Sequence, residues 1–248
     1  MSHSETGPVV VTGGSRGIGA ATVETLAAAG RPVVFSYASS DAAAQEVCDR
    51  AAAAGGQAVA VKGDAADEAA VEKLFATCIE RFGTPTGVFT NAGITGPVSN
   101  LADLDVADLR RVLEVNVTGT FLAARAAVRA MGKSGGSIVL MSSRAAKLGS
   151  GGEWIHYAAS KGAIDTLCTG LAQEVGPQNI RVNAVAPGLI ATEIHAAAGR
   201  EHRLETADKT VPLGRVGTVE EVAKGVLWLL SDDSAYVTGT IIDIGGGR

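Results

Sequence analysis

Short runs of consecutive apolar residues alternate along the whole chain with longer stretches in which apolar residues recur at helical spacing. The runs Val9–Val11, Val33–Ser36, Ala58–Lys62, Gly87–Thr90, Ser137–Met141, Arg181–Val185 and Thr240–Asp243 predict strands. Ser137-Ile-Val-Leu-Met141 is apolar on successive positions, as a strand covered by helices on both faces must be. Between the strands, helices are predicted over Gly17–Ala29, Asp41–Ala54, Glu68–Phe82, Asp105–Met131, Tyr157–Val175 and Val219–Leu230. Asp105 and the capping-box spacing Thr218-Val-Glu-Glu221 mark helix starts, and Gly30, Gly55, Gly83 and Gly176 mark stops. Such alternation builds βαβ units feeding a parallel sheet, so the fold class is α/β.

The organisation expected is a flexible stretch over residues 1–7 followed by a single catalytic domain over 8–248. Gly188 to Gly217, about residues 188–217, is the one long segment without a clear period. It follows the sixth strand, at the sheet edge where an open α/β fold places its ligand and any lid, and is read as a substrate loop.

Composition narrows the partners. The net charge is −5 and the sequence pI about 5.4, with no basic run longer than Arg110-Arg111, which argues against nucleic acid or an anionic membrane as partner. No uninterrupted apolar run approaches a membrane span, and residues 1–7 lack a secretory pattern. Cys48, Cys78 and Cys168 are odd in number and widely spaced, which fits reduced thiols in a cytoplasmic protein.

Thr12-Gly-Gly-Ser-Arg-Gly-Ile-Gly19 lies between the first strand and the first helix. Glycines there let the backbone approach a ligand, and a helix start offers free N–H groups and a positive dipole to a phosphate. The spacing departs from Gly-x-Gly-x-x-Gly and lacks the Lys-Ser/Thr ending of an NTPase loop. The second strand runs into Ser36-Tyr37-Ala38-Ser39-Ser40, without the acid that usually meets a ribose 2′-hydroxyl. A 2′-phosphate could instead meet Arg16 and the hydroxyls of Ser39 or Ser40, which favours NADP and leaves NAD possible. Asn91-Ala-Gly93 and Pro187-Gly188 place further open backbone along the same sheet edge.

Tyr157-Ala-Ala-Ser-Lys161 puts a phenol and an ammonium on one helix face, where the cation would lower the phenol pKa and fit it for proton transfer. Ser142-Ser143 closes the fifth strand at the same edge. Taken singly, each motif has a plainer reading as a turn, a strand end or a solvated helix face. His195 and His202 with Glu193 and Glu201 lack a helix-backed ligand pattern, and no metal is expected.

Together, Thr12-Gly-x-x-x-Gly-x-Gly19, Asn91-Ala-Gly93, Asn116, Ser143, Tyr157-x-x-x-Lys161 and Pro187-Gly188 stand in the order of the short-chain dehydrogenase/reductase family, which the chain resembles from about Pro8 to Gly247. The resemblance implies a Rossmann-type, doubly wound parallel sheet of seven strands, hydride transfer with NAD(P), and a homotetramer acting on a small carbonyl or alcohol. It implies that Tyr157 is the general acid and base, Lys161 lowers its pKa, Ser143 binds the substrate oxygen and Asn116 helps place a water beside the lysine. Ser142 could align in place of Ser143. Cofactor contacts are implied for Gly13, Ser15, Arg16, Gly17, Ile18, Gly19, Tyr37, Ser39, Asp64, Ala65, Asn91, Ala92, Gly93, Tyr157, Lys161, Pro187, Gly188, Ile190 and Thr192. A nucleotide-sensing protein without turnover, on the same sheet, is the alternative. The tail Ile242–Arg248 departs from the family's usual Val-Asp-Gly-Gly form.

Overall fold

Alternation within the strands sorts their side chains into two apolar layers, one on each face of a parallel sheet. Val10, Val34, Val88, Ile138 and Leu140 point into one layer, and Val9, Val11, Val33, Phe35 and Val139 into the other. The computed structural model describes residues 6–192 and 207–248. Residues 1–5 of the expected flexible terminus and 193–206 of the expected substrate loop lie outside them, with Glu193, His195, Glu201 and His202.

The strands are β1 (Val9–Thr12), β2 (Val33–Tyr37), β3 (Ala58–Lys62), β4 (Gly87–Thr90), β5 (Gly136–Met141), β6 (Ile180–Pro187) and β7 (Ile241–Ile244). They form one seven-stranded sheet in the order β3-β2-β1-β4-β5-β6-β7. Every pairing is parallel. The order reverses between β1 and β4, and a crevice opens there beyond the strands' carboxyl ends.

The helices cover both faces. α1 (Gly17–Ala28), α2 (Asp41–Ala53) and α7 (Val219–Leu230) supply Val23, Leu26, Val47, Val222, Val226 and Leu229 to one layer. α3 (Glu68–Phe82), α5 (Gly119–Met131) and α6 (Ile155–Val175) supply Leu74, Phe75, Ala127, Met131, Ile164 and Cys168 to the other. Asp105 caps α4 (Val106–Leu113) by accepting from the Ala107 N–H, and the Thr218–Glu221 capping box forms at α7. The helix expected over Asp105–Met131 is interrupted: Glu114–Thr118 is a π turn between α4 and α5. One inserted residue swings Asn116 inward, where it is fully buried, rather than onto the surface of an even helix.

Candidate active site

The glycine turn after β1 is strapped from two sides. Gly13 N–H donates to Ser36 Oγ (3.2 Å) and Gly14 N–H to the Ser36 carbonyl (2.8 Å). From β4, the Asn91 side-chain amide donates to the carbonyls of Thr12 (3.2 Å) and Gly13 (2.8 Å), while Thr12 Oγ1 accepts from the Ala92 N–H (3.0 Å). Gly13 has φ +67°, and a Cβ on Gly19 would stand 2.1 Å from the Gly13 oxygen, so the turn closes only with glycine at both places. α1 then begins at Gly17 with no side chain capping it. Its first N–H groups are left to a ligand at the lip of a crevice of about 560 Å³.

The crevice gathers nearly all the expected cofactor residues, from Arg16 through Tyr37, Ser39 and Asp64 to Gly93, Pro187, Ile190 and Thr192. Gly19 stands behind the wall, and so does Asn116. An uncapped helix start, an open glycine turn and a long cleft across the strand ends fit a dinucleotide, whose phosphates the N–H groups of Gly17–Gly19 would hold.

At the β2–β3 end of the crevice the polar groups are paired and exposed. Tyr37 Oη donates to Asp41 Oδ1 (2.9 Å), and Lys62 lies 3.0 Å from the same carboxylate, which stays below its usual pKa by those two bonds. Ser40 caps α2 by accepting from the Ala43 N–H and, unlike Ser39, is not in the crevice lining. Asp64 accepts from the Ala66 N–H (3.0 Å) and pairs with Arg111 (2.6 Å). Arg111 was missed by sequence reasoning: its helical position reads as a solvated face, and only the packing of α4 against α6 and the ion pair with Asp64 bring it to the crevice.

At the other end the polar groups are buried. Tyr157 and Lys161, one turn apart on α6, face the crevice with the ammonium nitrogen 5.7 Å from the phenol ring centre. Lys161 Nζ donates to the Met141 carbonyl (2.8 Å), and burial drives its pKa down to about 8. The Tyr157 phenol is raised, not lowered, from its ordinary value: burial outweighs the hydrogen bond with Ser143, which pulls the other way. The expected net depression by Lys161 is therefore corrected, since burial of the phenol outweighs what pulls its pKa down. The two serines separate cleanly. Ser142, 1% exposed, bonds to Asp165, whereas Ser143 meets the Tyr157 phenol.

Asn116 holds the peptide of Ile94 from both sides, accepting from its N–H (2.8 Å) and donating to its oxygen (2.9 Å), and donates to Ser160 Oγ (3.0 Å). Both of its amide hydrogens are used in these bonds, and with them the side chain shapes the Gly93–Ile94 turn. Arg144, directly after Ser143, is tied to Asp243 of β7 and to the Arg248 main-chain oxygen, so the unusual tail is anchored beside the serine. No cluster of metal-ligating side chains occurs among the described residues.

A family model described as enoyl-(acyl carrier protein) reductase matches residues 13–248. An uncharacterized oxidoreductase, YgfF, from Escherichia coli is 48% identical over 96% of this chain and 98% of its own length. The chain belongs to the short-chain dehydrogenase/reductase family. As a short-chain dehydrogenase/reductase it is an oxidoreductase, and the family uses NAD(P) cofactors. An L-rhamnose 1-dehydrogenase (NAD(P)(+)) from Sphingomonas is 38% identical, over 96% of this chain and 94% of that one. A solved short-chain dehydrogenase/reductase from Serratia marcescens superposes with a TM-score of 0.91 at 36% identity, covering 99% of both chains.

Proposed function

We propose that the protein is an NADP-preferring oxidoreductase that interconverts a secondary alcohol and a ketone. One observation carries the reading: the Ser143 and Tyr157 hydroxyls meet beside the Lys161 ammonium at the wall of a nucleotide-sized crevice. A bound nicotinamide dinucleotide supplies or accepts the hydride. Ser143 donates a hydrogen bond to the substrate oxygen, where charge develops during reduction. Tyr157 gives that oxygen its proton in reduction and removes it in oxidation. Its raised pKa keeps the phenol protonated, and the Lys161 charge favours phenolate as the proton leaves. Asn116 keeps the Gly93–Ile94 turn seated against Lys161.

The NADP preference is supported at the end of β2. Asp41, the carboxylate nearest that turn, is neutralised by Lys62 and bonded to Tyr37, while Arg16 and Ser39 line the crevice there. The assembly proposed is a homotetramer. Val106, Leu113 and Phe121 are exposed along α4 and α5, and Trp228 of α7 and Tyr236 before β7 form a second exposed pair. Val226, Leu229 and Leu230 of α7 belong to the subunit's own core. The free cysteines suit the cytoplasm, and no described helix is long and apolar enough to cross a membrane.

Screening NADPH consumption over ketones, aldehydes and 3-oxoacyl thioesters, with NADH in parallel, tests the reading. Turnover of at least one carbonyl, with tighter binding of NADPH than NADH, is expected. Nucleotide binding without turnover of any carbonyl or alcohol would favour the sensing alternative, and tighter NADH binding would overturn the cofactor preference.

A further inference from the structure

Tyr157, Lys161 and Asp165 follow one another at four-residue intervals on α6, so the three side chains share one stripe of the helix. The first two face the crevice. Asp165 faces the strand end behind it, where its Oδ1 accepts the hydrogen bond of Ser142. The same Ser142 hydroxyl stands 3.5 Å from the Lys161 carbonyl, and the Ser142 N–H donates to Val185 of β6 (2.8 Å). Asp165 thus fastens the end of β5, from which Ser143 projects, to the helix that carries Tyr157.

Lys161 is 3% exposed. The groups that face it from the other elements are neutral: the Met141 carbonyl of β5, Gly93 after β4 and Asn116 of the π turn. Its own helix adds the neutral Tyr157 phenol and, one turn on, Asp165, which makes no direct ion pair with it but is the one charged group among the described residues that acts on it. An ammonium in that position, with a single carbonyl for company, would give up its proton readily.

We propose that Asp165 is a positioning residue of this site, which anchors the Ser142–Ser143 strand end and supplies the negative charge that keeps Lys161 an ammonium while Tyr157 transfers its proton. The proposal rests on the proton-transfer reading of Tyr157 and Lys161 for its catalytic consequence, but not for its electrostatic content. Burial pushes Lys161 to about 8 even against the pull of Asp165, so little margin separates the charged lysine from the neutral one near physiological pH.

The test is an NMR titration of the Lys161 side chain in the full-length protein labelled with ¹³C-lysine, assigned by difference from Lys161→Met. Asp165→Asn keeps an oxygen acceptor for Ser142 and removes the charge, and Asp165→Ala removes both. The Lys161 midpoint is expected to fall by about one pH unit or more in both neutral variants and to return in Asp165→Glu. The alkaline limb of kcat/KM should move down by the same amount in Asp165→Asn, with nucleotide affinity unchanged. A purely structural role would instead depress kcat equally at every pH. A midpoint unmoved in both neutral variants overturns the assignment and leaves the proton-transfer reading intact. A shifted midpoint in a protein whose wild type and Tyr157→Phe forms turn over equally upholds the charge pairing and overturns that reading.

Discussion

Among the described residues two cations are buried, at opposite edges of the same sheet, and they are satisfied to different degrees. Arg31, 2% exposed at the amino ends of β1 and β4, donates to the Gly7 carbonyl (3.1 Å), the Leu230 carbonyl (3.0 Å) and Thr86 Oγ1 (2.9 Å). Lys161, at the carboxyl edge, donates to one described carbonyl, although an ammonium carries three donors. Burial lowers both, Arg31 to about 10 and Lys161 to about 8. A guanidinium with each nitrogen bonded is a staple between segments. An ammonium with spare donors beside a crevice is available to a ligand, and its protonation can change within a working pH range.

That contrast can be broken by removing each charge in turn. Lys161→Met keeps the volume and deletes the ammonium, so kcat/KM is expected to fall by about 10²–10⁴-fold while thermal stability holds or rises. A comparable loss of melting temperature would contradict the division of roles. Arg31→Met should do the reverse. Three partners lose their donor, which costs about 3 kcal/mol and lowers Tm by roughly 6–12 °C, while turnover per folded molecule stays within about twofold. Calorimetry beside active-site titration separates the two effects.

The pH dependence sharpens the comparison. Lys161 titrates near 8 in the fold and about 10.4 unfolded, so between those values the unfolded chain binds more protons and stability rises with pH. A contribution of roughly 3 kcal/mol should therefore appear in denaturant melts across that window, while activity falls as the ammonium is lost. Above about pH 10 the raised Tyr157 phenol works the other way, because the unfolded tyrosine ionises first. Lys161→Met should abolish the rise between the two lysine values. The smallest effect is expected at the β2–β3 end of the crevice. Arg111 and Asp64 are half exposed, so Arg111→Ala should change stability by less than about 1 kcal/mol, with part of that vanishing in high salt.

Much of this was legible in the chain. The strands fall within a residue or two of the apolar runs, because a strand buried on both faces leaves its apolar run intact in the sequence. The glycine turn and the Tyr157–Lys161 pair were readable as well, since spacing alone puts them on one sheet edge and one helix face. The π turn was not: one extra residue in 26 barely disturbs an apolar period, yet it decides whether Asn116 meets water or Ile94. Nor could spacing choose between Ser142 and Ser143, because the choice depends on Asp165, 23 residues beyond Ser142 in a packed helix. The direction of the Tyr157 shift was misjudged because charge spacing is visible in a sequence and desolvation is not.

The most direct measurement compares wild type and Tyr157→Phe for NADPH affinity and for single-turnover reduction of a ketone found in the screen. The variant should bind NADPH as tightly as wild type and reduce the ketone at least about 100-fold more slowly. Equal single-turnover rates in the two proteins would contradict proton transfer by this phenol.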